Sequence, residues 1–304
     1  MQIDEWLGRL RPGRSASPRA RQALLGFALA AFVIMTIVAV VRFPDDLQIA
    51  PRWWLLAIVG IAGPLVTVSL NAAEFVQQGR LVGRRIAWRD AARVSVLGTA
   101  ANLAPLPGSV IVRTAALTED EVGAKRAAGT TATVGLAWLG AGAATAGALQ
   151  PFAGRAWLGA LLVPVGVGLL GLTLLLVRRA APADGIGTLF GAIVAVEVGT
   201  VVVGAMRLTG IIYGLGLDVS TSQALGLTLA GIVASATGVF PAGLGIREGL
   251  IAAASPVLEV PVAVGVVAAA ADRLAGLAML AVLTTVLMRH QPGPPATSPP
   301  GSPG

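Results

Sequence analysis

Long apolar runs alternate along this chain with short basic breaks, and the runs set the predicted elements. Residues 1–22 are polar and basic, with Arg9, Arg11, Arg14, Arg19 and Arg21, and an apolar run follows over 23–41. A basic segment ahead of an apolar run is also the layout of a signal peptide. Here the run is long, no small-residue cleavage site follows it, and Arg42-Phe43-Pro44-Asp45-Asp46 comes next. The pattern therefore predicts an uncleaved first transmembrane helix. A second is predicted over 53–73, anchored at the interface by Trp53 and Trp54. Residues 77–93 carry five arginines interleaved with Leu81, Ile86 and Trp88, which suits a helix lying on the membrane surface; the alternative is an ordinary solvated loop. Uninterrupted spans are predicted over 127–149, 156–177, 186–215 and 262–288. The span 186–215 contains Glu197 and Arg207. Two further apolar segments are broken, 94–117 at Pro105-Leu106-Pro107-Gly108 and 223–255 at Pro241-Ala242-Gly243-Leu244-Gly245. The glycine spacings of Gly187 with Gly191 and of Gly210 with Gly214 read as close helix packing rather than dimerisation. Residues 291–304 hold six prolines and predict a disordered tail.

The distribution of charge decides the topology, because cytoplasmic loops carry the Lys/Arg excess. If each broken segment crosses the membrane once, Arg178 and Arg179 fall outside. If each is a hairpin that returns to the side it came from, fifteen Lys/Arg lie inside: those of residues 1–22 and 80–93, with Lys125, Arg126, Arg178, Arg179 and Arg289. Four lie outside: Arg42, Arg52, Arg155 and Arg207. The second arrangement fits far better. It predicts an all-α polytopic membrane protein with six full transmembrane helices, two re-entrant helical hairpins and both termini in the cytoplasm. The order span, span, hairpin, span then occurs over 23–149, with its hairpin near 94–117. It occurs again over 156–288, with its hairpin near 223–255, and starts from the opposite side. Arginine follows proline by six residues in both hairpins, Pro107 to Arg113 and Pro241 to Arg247. Two inverted repeats with paired helix breaks are an architecture of secondary transporters.

Composition narrows the chemistry. The chain of 304 residues is 55% hydrophobic and 12% charged, with mean hydropathy +0.80, about half the usual charge content of a soluble domain. It has no cysteine and one histidine, His290, so disulfides, thiolate or histidine metal sites and Ser-His-Asp triads are excluded. No cofactor or metal is expected. The net charge of +7 is almost all arginine, Lys125 being the one lysine. In a membrane protein that excess reflects loops facing anionic lipid rather than nucleic acid.

The residues that stand out are charges within or beside apolar segments: Arg113, Glu197, Arg247, Glu248, Asp272 and Arg273. Each costs about 2.5–3.5 kcal/mol at the bilayer centre even on the lenient insertion scale. Three arginines need anions. Glu248, Asp272 and Glu197 supply some, and a phosphate gripped bidentately by guanidinium would supply the rest. The alternative is a set of internal salt bridges that fasten the hairpins. Glu197 reads either as a proton carrier or as a partner for Arg247 or Arg273. Asn102, near the first break, and Asn71 and Glu74, at the end of the second span, read as polar lining or as helix-end residues meeting water. The glycines of Gly243-Leu244-Gly245 are no dinucleotide fingerprint, since no strand precedes them.

The string VFPAGLGIREGLIAAAS, followed by AAAADRLAGL, resembles the second-half signature of the lysylphosphatidylglycerol synthase transmembrane-region family, the flippase-like integral membrane proteins. Pro241, Gly243, Gly245, Arg247, Glu248 and Arg273 match its pattern, and Asn102, Pro107, Gly108 and Arg113 match its first half. Two positions depart from it. Val110-Ile111-Val112 stands where the family has Gly-Glu before the arginine, and Ala137-Trp138 stands in the region of the first-half counterpart of Arg273. The resemblance covers about residues 20–290, with no aminoacyl-transferase domain after it. It implies a bacterial inner-membrane protein without enzymatic activity. Such a protein would bind or translocate an anionic phospholipid or lipid-linked phosphate between leaflets. Arg113, Arg247 and Arg273 would hold the phosphate, and Glu248 would orient Arg247. A non-transporting membrane partner or regulator of a cell-envelope enzyme is the alternative.

Overall fold

The computed structural model describes residues 33, 34, 37, 41, 50–102, 108–118, 122–180, 185–236 and 245–289. The readings made for 1–22, for most of the first span, for Pro107, Pro241 and Gly243, and for 291–304 lie outside the described residues. Among the described residues the protein is all-helical. Five helices are long and apolar enough to cross a membrane: α1 (Trp53–Leu81), α4 (Ala124–Leu149), α5 (Ala156–Ala180), α6 (Ile186–Gly214) and α9 (Val262–Arg289). Four shorter ones lie between them: α2 (Trp88–Ala101), α3 (Gly108–Leu117), α7 (Thr221–Ala236) and α8 (Ile246–Val257). The order long, short, short, long therefore occurs twice, as α1–α4 and as α6–α9.

Small residues set how the helices meet. α1 and α6 pack along their lengths, and they run antiparallel: β-carbons built at Gly214, Gly210 and Gly199 would touch Leu56, Val59 and Leu70 in turn. The pair Gly210 and Gly214 thus serves packing against α1, whereas β-carbons at Gly187 and Gly191 would meet open space. The short helices pair off, α2 on α3 and α7 on α8, and α9 packs on α8, α1, α6 and α2. Gly108 is where α3 comes closest to α2; a β-carbon there would lie 2.1 Å from the Ala101 carbonyl. Buried Val201, Leu208 and Ile212 of α6, Leu227 and Ile232 of α7, Ile251 of α8 and Ala268 of α9 share one apolar core. Large apolar side chains face outward on α1, α5 and α9, as lipid-facing surfaces require. Trp53, Trp54 and Trp157 are exposed at helix starts, the usual place of interfacial aromatics.

One predicted element is absent. Residues 77–93 do not form a surface helix of their own. α1 continues two turns past residue 73 because Gln77 and Gln78 are buried rather than solvated, and Gln78 donates to Glu74 Oε1 at 3.0 Å. The chain then turns, with the Arg84 N–H donating to the Gly79 carbonyl at 2.8 Å, and α2 begins at Trp88. Five of the fifteen arginines and lysines assigned to the inner face thus sit at this turn and its two helix ends.

Candidate functional site

Two ionic clusters lie among the apolar helices, one on each short-helix pair. The first is assembled by α8 and α9, which run antiparallel and present two neighbouring charges each. Arg247 Nη2 donates to Asp272 Oδ2 at 2.9 Å, and Arg273 Nε lies 3.4 Å from Glu248 Oε1. Consecutive residues on a helix differ by about 100°, so the two pairs form side by side instead of collapsing into one. The other oxygen of Asp272 is taken by α6: Arg207 Nη2 lies 2.7 Å from Asp272 Oδ1. Arg207 Nη1 also donates to Thr67 Oγ1 on α1 at 2.9 Å. Its stem fits because residue 63 is glycine; a β-carbon there would lie 2.6 Å from Arg207 Cγ. Arg247 lies over Gly231 of α7, whose β-carbon would come within 3.2 Å of Arg247 Nε.

Gly245 joins this cluster to the break in the chain. Its φ of 80° is a conformation that glycine adopts without the penalty of a side chain. That turn brings its N–H to Glu248 Oε2 at 2.8 Å. Glu248 is fully buried, caps the first turn of α8 and faces Arg273; Arg247 is oriented by Asp272. The expected Glu248–Arg247 partnership is thus replaced by two crossed pairs.

The second cluster is assembled by α1, α3 and α6. Glu74 Oε1 accepts from Arg113 Nη1 and from Gln78. Glu197 lies on the stripe of α6 that faces this part of α1, while Arg247 and Arg273, the partners considered for it beside a proton-carrying role, are paired with Asp272 and Glu248. The antiparallel register explains this, since Gly199 lies against Leu70 and the next turn of α1 carries Glu74. At the joint of α2 and α3, Asn102 Oδ1 accepts the Ser109 N–H at 2.7 Å, closing the start of α3 beside Gly108.

The ion-pair roles of three charged residues, two in the clusters and one outside them, were not read from the sequence. Arg207 was counted among the outer loop charges because it falls near one end of its span; it lies half-buried among the helices, with 14% of its side chain exposed. Glu74 was read as lying where its helix ends, and it lies two turns before the end. Arg155 was treated only as a topology marker. It is buried between α4 and α5, where it donates to Gln150 Oε1 at 2.9 Å and to Ser222 Oγ at 3.2 Å. It also meets Glu259 at 3.3 Å, tying the α4–α5 turn to both ends of the α7–α8 pair. The Arg207 signal was available, as a basic residue within a helix whose small-residue stripe implied a close neighbour.

The charges of the clusters differ. Arg207, Arg247 and Arg273 face Asp272 and Glu248, which leaves one positive charge. Arg247 has 26% of its side chain exposed, the most of the ion-paired arginines in either cluster. Arg113 pairs with Glu74 one to one, and Glu197 on α6 is a further buried carboxyl. The first cluster can take an anion, and guanidinium suits a phosphate; the second can take a proton. No family model, curated protein or solved structure matches this chain.

Proposed function

We propose that this is a flippase-like protein of a bacterial inner membrane that binds the phosphate of an anionic lipid and carries it between leaflets. The observation that carries the reading is the sharing of Asp272 by two arginines. One carboxylate cannot neutralise both, and an unbalanced cation within apolar helices is costly unless an anion joins it. Arg247, half-turned to the open side of the cluster, meets the phosphate. Arg207 reinforces it through Asp272. Arg273 and Arg113 already have carboxylate partners and reach the ligand only as those partners let go. The motif resemblance at Arg247, Glu248 and Arg273 points the same way.

The architecture in this proposal has six spans, with the first over 23–41, and two re-entrant hairpins in inverted repeats, with both termini cytoplasmic. Several features support it. The short helices have 10 to 16 residues, or about 15–24 Å at 1.5 Å per residue, which is less than the roughly 30 Å hydrocarbon core. Their paired packing suits hairpins that enter and return. α1 and α6 are both 29 residues long and antiparallel, and Glu74 and Arg207 each stand at the twenty-second residue. Matching positions on oppositely directed helices are what an inverted repeat produces. Rocking of one hairpin against these helices would open the cluster to one leaflet and then the other.

Reconstitution in vesicles with fluorescent phosphatidylglycerol, quenched from outside, tests the function. Faster loss of protected fluorescence than in empty vesicles is expected, and an unchanged protected fraction would defeat the reading. The absence of native cysteine allows a labelling test of topology. Phe152 is 89% exposed in the α4–α5 turn, so Phe152→Cys should react with an impermeant maleimide from the periplasmic side; reaction from the cytoplasmic side alone would invert the scheme.

A further inference from the structure

The proposed phosphate site leaves Glu197 unused, and Glu197 is the least compensated buried group among the ionic residues. It is 1% exposed, and its Oε1 has no hydrogen-bond partner. It stands in the inward stripe of α6 between Ile193 and Val201, both buried, so an apolar residue would fit the stripe better. A carboxylate without a partner in such a place is strongly disfavoured, while a carboxylic acid is tolerated.

We propose that Glu197 is a proton-exchange site that works against the Glu74–Arg113 pair. Every charged group around it fits this role. On α1, Gly199 lies against Leu70, and the next turn carries Glu74, which holds Arg113 of α3. α7 has no charged residue, and the charges of α4 and α5 are Lys125, Arg126, Arg178 and Arg179 at their terminal turns. α1 also carries Arg80 in its last turn, and α9 brings Asp272 and Arg273, with Asp272 held at Arg207. Arg207 stands about 15 Å farther along α6 from Glu197, at 1.5 Å per residue. In this proposal the Arg113 guanidinium, held by Glu74, is the cation for which Glu197 competes. With a proton on Glu197, the cluster is neutral and Glu74 holds Arg113. When the proton leaves for water, Glu197 becomes a second carboxylate and competes with Glu74 for the same guanidinium. Because Arg113 sits on α3, that competition pulls on the first short-helix pair, and proton release becomes a movement of the hairpin. A metal ion is the wrong ligand: hard cations take about six or more oxygens. Among the described residues no three acidic or histidine side chains come together, and Glu74 Oε1 is already occupied.

The proton site rests on the transport reading only for its purpose, not for its existence. Infrared difference spectra of the whole protein in phosphatidylcholine vesicles, taken across a pH step, read the carboxyl C=O stretch directly. A band that is lost as pH rises is expected in the wild type. It should be gone in Glu197→Gln, which has the shape of the protonated acid, and present but with a displaced midpoint in Glu74→Gln. No such band in the wild type, or an unchanged band in Glu197→Gln, would overturn the proposal. If Glu197→Gln does not fold, the wild-type band and its displacement in Glu74→Gln decide alone: a midpoint that stays fixed counts against the site. Phosphatidylglycerol binding measured in the same vesicles separates the two readings. Lost binding with the band intact sinks the transport reading, and intact binding without the band sinks this one.

Discussion

Arg113 and Arg247 hold matching places, each on the second helix of a short pair and six residues after a proline, yet they meet opposite company. Arg113 finds a carboxylate on the long helix that precedes its own pair. Arg247 finds its carboxylate on the long helix that follows, and must share it with Arg207. One pair is matched charge for charge, and the other cluster ends with a positive surplus. The repeated order of long and short helices therefore does not make two equivalent ion-pair clusters. At the twenty-second residue of α1 and of α6 they differ by an acid and a base, Glu74 and Arg207, which shifts their charge in opposite directions.

The largest test of that contrast removes the shared anion. Asp272→Asn leaves Arg207 and Arg247 without charge compensation, and breaking a buried pair from one side typically costs about 3–5 kcal/mol. Thermal unfolding in detergent should show a much lower midpoint than for Glu74→Gln, where Glu197 stands ready to take over Arg113. Equal losses would mean that the clusters are compensated alike. A smaller effect is expected from exchanging the cations. Arg247→Lys keeps the charge and loses the planar fork. It should weaken phosphatidylglycerol binding by at least about tenfold, in line with the 1.5–3 kcal/mol of a charge-assisted hydrogen bond. Arg113→Lys should bind nearly as well as wild type, and a comparable loss there would move the anion site to both clusters. The smallest effects belong to the two joints. Gly108→Ala forces a β-carbon against the Ala101 backbone and should destabilise by about 1–3 kcal/mol, as overpacking does. Gly245→Ala meets a backbone penalty of about 1–2 kcal/mol at its φ of 80°. Chemical unfolding of both variants would show whether the first joint is the tighter.

The spans were legible because a bilayer imposes length and hydropathy on any helix that crosses it, and residues 186–215 and 262–288 were placed within a residue of α6 and α9. The pairing was not legible. Sequence order gives a charge its depth along a helix, but the partner depends on how neighbouring helices are rotated and offset. Glu197 was referred to Arg247 or Arg273 for lack of that offset, which Gly199 against Leu70 sets. The end of α1 was misjudged for a different reason. Gln77, Gln78 and Arg80 resemble interfacial polarity in one dimension, while in three dimensions the glutamines are buried against neighbouring helices. The predicted breaks, by contrast, fall between separate helices, after Ala101 and before Gly108 and after Ala236 and before Ile246, because a local break needs no distant partner.

The position of Asp272 in the last long helix also bears on how the protein is made. Chains are synthesised from the N-terminus, and earlier segments begin to fold first. Arg113 emerges after Glu74 and meets its counter-charge at once. Arg207 and Arg247 emerge before theirs, and until α9 arrives each stands in the bilayer at a cost of about 2.5–3.5 kcal/mol. A ribosome that stops before residue 262 would leave a chain with two stranded cations, distinguishable from the finished product by charge alone. The ion pairs of Arg207 and Arg247 with Asp272 can therefore close only once the final helix has been delivered.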